Sequence, residues 1–186
     1  MPIIDSINAE KEAVLQVVKF MLASVRTAPK AGGIDDVLVV AVFGLEKDAL
    51  AVEMEKIAGE RGIEGFRRDA KNVRDSDAVL LVGVRGKHFF GVNCGACGYK
   101  SCEEFEEAEE KLGQDFVGPN CAFKLLDLGI ALGSAAKLAS IFNIDNRIMY
   151  RVGVAAKRLD MLQNATIIMG IPVSVKGKNI FFDRSK

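Results

Sequence analysis

Four cysteines place the tightest constraint on what this chain can fold into. They are Cys94, Cys97, Cys102 and Cys121, spaced Cys-x2-Cys-x4-Cys-x18-Cys, and they are all the cysteines of a 186-residue chain. Three fall inside one short stretch, VNCGACGYKSC, and the fourth follows VGPN. If the thiols act together, the backbone must bring Cys121 back to the other three. Gly95 and Gly98 follow the first two cysteines and permit tight turns. Their small size also lets backbone N–H groups approach sulfur. Gly118 and Pro119 shape the return to Cys121. Four thiolates meet the demand of a 4Fe–4S cube, one ligand per iron.

Two other chemistries use the same residues. Structural zinc is tetrahedral and takes four thiolates, but its sites usually pair two short Cys-x2–4-Cys knuckles, and here only Cys94 and Cys97 have that spacing. A thiol–disulfide pair at Cys94 and Cys97 would leave Cys102 and Cys121 without a role. A reducing cytosol favours metal or redox chemistry over structural disulfides. The start, MPIIDSINAEKEAV, has no basic region followed by an apolar one, so no secretory signal is read there. Lys124, Asp127 and Lys137 interrupt the longest apolar run, Cys121–Phe142, so it is not read as a membrane span. The 25 basic and 25 acidic residues balance, which argues against a nucleic-acid or anionic-membrane partner. The expectation is a soluble, cytoplasmic protein.

Periodicity predicts helices over Ala9–Arg26, with Ser6 or Asn8 as its cap, and over Lys47–Arg61, Cys102–Leu112, Ala122–Phe142 and Arg147–Asp160. APKAGG reads as the end of the first helix and a loop. Strands are predicted at Val37–Phe43, Ala78–Val84, Thr166–Ile171 and Asn179–Asp183. Helices and strands together make a layered α/β or α+β domain spanning residues 1–186, with the cysteine segment 87–121 as an embedded insert. The six glutamates of CEEFEEAEE form a solvated face or a docking surface for a basic redox partner.

The segment CGACGYKSCEEFEEAEEKLGQDFVGPNC resembles the cluster segment of electron-transport ferredoxin-like modules, such as the cluster domain of Rnf-complex B subunits. Over its whole length the chain resembles the ferredoxin domain-containing proteins of archaea and anaerobic bacteria. Four flanking stretches are similar to nitroreductases: ASVRTAPKAGGIDDVLVVAV, SDAVLLVGV, DLGIALGSAAKLASIFNID and TIIMGIPVS. That resemblance implies an α+β fold, a nitroreductase-like sheet flanked by helices with the four-cysteine segment inserted, and a homodimer with bound FMN. Nitroreductases usually open with an arginine-rich grip on the FMN phosphate. Here Glu10, Lys11 and Glu12 stand near that place, and Gly32 and Gly33 occupy the region of the usual asparagine. The remaining candidates for the phosphate are Arg26, Lys30 and Arg184.

Other motifs are few. The chain's one histidine, His88, is read as a partly buried packing residue, or else as a group that hydrogen-bonds near a cluster sulfur or mediates proton-coupled electron transfer. Arg67, Arg68 and Asp69 read as a surface ion-pair cluster. The small residues of the long helix, Gly129 and Gly133 among them, suit close packing in a core or a dimer interface. The expectation is a one-electron iron–sulfur protein, with a flavin and small-molecule reduction as an extension. The alternative is a non-redox binding protein stapled by a structural metal.

Overall fold

A computed structural model of the chain describes residues 3–182. Its centre is β2, Ala78–Val84, in which every residue is buried. An all-apolar strand has no face to give to water, so both of its faces must be covered. It pairs antiparallel with β1, Val37–Val42, on one side and β6, Ile167–Ser174, on the other. A short β5, Asp145–Asn146, completes a four-stranded antiparallel sheet of order β1-β2-β6-β5.

Alternation along β2 divides the core in two. Ala78, Leu80, Val82 and Val84 meet α1, Ser6–Thr27, and α5, Ala122–Ile141. Val79 and Leu81 meet α2, Gly44–Arg61, α3, Glu64–Asp75, and α6, Tyr150–Arg158. The result is a helix–sheet–helix sandwich. The segment between β2 and α5 carries the cysteines, a one-and-a-half-turn α4, Cys102–Glu107, and a hairpin of β3, Lys111–Leu112, with β4, Val117–Gly118.

Several expectations change. Asp5, not Ser6 or Asn8, caps α1: its carboxylate accepts from the Asn8 N–H at 3.1 Å. The acidic helix stops at Glu107 instead of Leu112, because Lys111 and Leu112 pair with β4. The interval after α2 holds α3, which buries Phe66, Ala70 and Val73 as a stripe. Asp69 is not on the surface; it is 3 % exposed and bonded by Arg68 and, from α6, by Arg151 at 2.8 Å. β6 runs on through Pro172 to Ser174. No strand forms over residues 179–182, and Asp183 lies outside the described residues. There Asn179 turns the chain by accepting from the Phe181 N–H, and the carbonyls of Ile180 and Phe181 are taken by Asn72 and Arg147.

Helix α6 lies directly on β6. A Cβ built at Gly153 would stand 1.7 Å from the Ile168 carbonyl oxygen, so only glycine permits this approach. Gly59, on the outer side of α2, has nothing within 4 Å of the same position. Gly153→Ala is therefore expected to lower stability by about 3 kcal/mol through overpacking, whereas Gly59→Ala gains roughly 0.8 kcal/mol of helix propensity. Urea unfolding of the two variants checks the contrast in sign.

Candidate metal centre

Cys94, Cys97, Cys102 and Cys121 line one small cavity, and all four are free thiols. They reach it from three places. Cys94 and Cys97 flank a turn in which the Gly98 N–H donates to the Gly95 carbonyl at 2.9 Å. Gly95 and Gly98 have φ of 71° and 90°, a region costly for residues with a Cβ. Cys102 is the first residue of α4, whose cap Ser101 accepts from the Glu104 N–H. Cys121 caps α5, so it stands at the positive end of a 20-residue helix, where negative charge is stabilised. Exposure falls along this order: Cys94 is exposed, Cys97 and Cys102 are half-buried, and Cys121 is buried.

Dedicated bonds hold the set. The Asn93 N–H points at the Cys102 sulfur, 3.4 Å away, while Asn93 Oδ1 accepts from the Cys102 N–H at 2.7 Å. The Cys121 N–H donates to the Gly86 carbonyl at 2.7 Å, tying the fourth cysteine to the loop that leaves β2. Phe105 is the insert's own core: Phe89 and Tyr99 meet it edge-on, and the Lys87 ammonium lies 4.8 Å from its ring centre. The same ammonium takes the carbonyls of Phe105 and Ala108 and so finishes α4. Phe90 and Phe123, 5.1 Å apart, form the inner wall of the cavity. Among the described residues, no group of three or more Cys, His, Asp or Glu side chains is close enough together to hold a metal ion. The donor set itself, four free thiols on one aromatic-walled cavity, fits a thiophilic metal or cluster.

Behind that wall lies a charge cluster that the sequence analysis missed. Lys124 is fully buried and lies 2.8 Å from Asp36 Oδ2 and 3.8 Å from Asp127 Oδ2. It also donates to the Ile34 carbonyl, and Asp127 accepts from the Ala31 N–H. Asp36 Oδ1 is 2.6 Å from His88 Nδ1. Burial pushes the Asp36 carboxyl up, but Lys124 and His88 outweigh it and hold the group below the ordinary carboxylate range. His88 is thus 60 % exposed and hydrogen-bonded to Asp36 through Nδ1, not a packing residue. The signal in the sequence was Lys124 with Asp127 three residues on in an apolar helix, a spacing at which opposite charges become neighbours.

The candidate phosphate cations lie elsewhere. Arg26 pairs with Asp35 and donates to the Val37 carbonyl at 3.3 Å. Lys30 folds back on α1 and donates to the carbonyls of Val25 and Arg26, and burial pushes its ammonium down from the ordinary lysine range. The two come together around Asp35 but, as placed, are not an open pair for a phosphate. Arg184 lies outside the described residues.

A model of a family described as "uncharacterized protein containing a ferredoxin domain" matches residues 117–184. A protein of Archaeoglobus fulgidus, described as an uncharacterized protein, is 50 % identical over 176 residues, covering 95 % of this chain and 94 % of that one. Among solved structures, a nitroreductase with bound FMN from Desulfitobacterium hafniense is similar at a TM-score of 0.57 and 12 % identity, over 88 % of this chain and 78 % of that one. An FMN-dependent nitroreductase of Mycobacterium smegmatis, solved with NADPH, gives 0.57 and 12 %, over 87 % and 78 %. Identity this low speaks for the fold alone, and the fold is nitroreductase-like. Among the described residues, no helix is long and apolar enough to cross a membrane.

One tether fixes the hairpin of the insert to the scaffold. Asp115, between β3 and β4, pairs with Arg61 of α2 at 2.6 Å and accepts from the Tyr150 hydroxyl of α6. Burial, then the Asp115 carboxylate, pushes Tyr150 up to about 12. A raised folded value means that this contribution to stability is complete below the ordinary tyrosine range and is lost as pH rises toward 12. In an alkaline ultraviolet titration Tyr150 should ionise late, and Asp115→Asn should bring its ionisation earlier while leaving the part due to burial.

Proposed function

The chain belongs to the family of proteins described as containing a ferredoxin domain, and on that premise we propose that it is a one-electron carrier holding a 4Fe–4S cluster on Cys94, Cys97, Cys102 and Cys121. The observation that carries this reading is the convergence of all four free thiols on one cavity. When bound, such a cluster accepts one electron and passes it on. The chain's own residues prepare the place. The Asn93 N–H supports the Cys102 sulfur, the α5 terminus favours negative charge at Cys121, and Phe90 and Phe123 keep water from the inner side. The exposed edge at Cys94 is the side from which a partner protein reaches the centre. No step is assigned to FMN, because Arg26 and Lys30 already hold partners within the fold.

The protein purified without oxygen should be brown, carry iron and sulfide in stoichiometric amounts, and bleach with dithionite. Cys121→Ser should lose most of that absorption. A colourless protein with stoichiometric zinc would overturn the redox reading and leave a stapled binding domain.

The carrier works as a homodimer in this proposal. The outer face of α5 shows Leu125, Leu126 and Ile130 to solvent, with Gly129 and Gly133 open between them. The two charges of that stretch, Lys124 and Asp127, are turned inward. An uncharged face of this length is characteristic of a helix that is covered. Light scattering should give twice the chain mass for the native protein and the single mass for Ile130→Lys; a native monomer would sink the dimer.

A further inference from the structure

We infer that His88, acting through Asp36 and Lys124, is the proton-exchanging counter-charge of the thiol centre, so that an electron arriving there draws a proton from solvent onto the imidazole. The inference rests on the one-electron reading above. It makes His88 a positioning residue for charge rather than a ligand.

Three observations carry it. The first is connection. His88 immediately precedes Phe89 and Phe90, and Lys124 immediately follows Phe123. The rings of Phe90 and Phe123 are in contact and wall the cysteine cavity. The charge network is therefore joined at both ends, through residues adjacent in the chain, to the two rings that wall the centre. The second is charge. Two buried carboxylates, Asp36 and Asp127, share one buried ammonium, Lys124. With a neutral imidazole the group sums to minus one. The ammonium stands 2.8 Å from Asp36 Oδ2 but 3.8 Å from Asp127 Oδ2, beyond hydrogen-bond reach, so one positive charge serves two acceptors incompletely. A further negative charge at the centre adds to that imbalance, the more so for the buried members of the network.

The third is access. His88 holds Asp36 through Nδ1 and is more than half exposed, so its other ring nitrogen is open to solvent. Histidine is the side chain that exchanges protons between about pH 5 and 8, and this is the only one in the chain. The charged groups around it are Asp36 before β1 and, behind Asp36, Lys124 and Asp127 of α5. On its own segment, the Arg85 N–H donates to the Asp36 carbonyl and Lys87 is turned to α4. The step balances simply. One electron comes from a one-electron donor protein, one proton comes from solvent to the free ring nitrogen, and both leave on reoxidation.

The test is the midpoint potential of anaerobically purified protein, measured between about pH 5.5 and 8.5 after its iron and sulfide content has been fixed. The potential should fall as pH rises, because proton uptake favours the reduced form. His88→Gln, which can still donate to Asp36, should remove most of that slope, and Asp36→Asn should weaken it. A flat wild-type potential in protein that carries its cluster would overturn this inference and leave the one-electron reading intact. So would a His88→Gln slope equal to wild type. A chain that takes up no iron would overturn both.

Discussion

The complete burial of β2 is the constraint from which the architecture follows. A strand of Ala, Val, Leu and Gly with no polar side must have helices on both sides, and its alternation assigns Leu80 and Val82 to one layer and Val79 and Leu81 to the other. Once both faces are closed, a chain leaving β2 can go only to the end of the sandwich. The cysteine segment leaves there, after Val84, and α5 begins where it returns. The insert therefore sits at an end of the layers because the sheet offers it no face.

Lys124 is the second organising element. Replacing a buried ion pair by apolar groups is often neutral or stabilising, so stability is weak reason for such a cluster. What it does is join parts: Asp36 enters β1, Ile34 and Ala31 belong to the turn after α1, Asp127 lies one turn along α5, and His88 opens the insert. One ammonium thus sets the relative placement of four segments around the inner wall of the thiol cavity.

Much of this was legible in the sequence, and the reasons for the misses are physical. Strong apolar runs announced β1, β2 and α5, whose boundaries agree within a residue. The cysteine spacing pointed to one site, and the four thiols do line one cavity. Helix α3 escaped because its stripe of Phe66, Ala70 and Val73 is thin amid arginine and aspartate. The end of α4 escaped because pairing with β4 is a tertiary event that local propensity for helix does not report. The association of His88 and Lys124 with Asp36 escaped because the three are far apart in the chain and meet only in the folded protein.

Cys121 differs from its three companions in what it belongs to. Cys94, Cys97 and Cys102 belong to the insert, whereas Cys121 is the N-cap of a scaffold helix, its N–H held by Gly86. Its neighbour Asn120 is held at 2.5 Å by Thr166, which enters the last strand and bonds β2 through Val84. During synthesis the first three thiols leave the ribosome together, long before that strand exists. The fourth is held on the scaffold, by Gly86 after β2 and, through Asn120, by Thr166 before β6. A group that needs all four thiols would thus couple the placement of the insert to the pairing of β2 with β6.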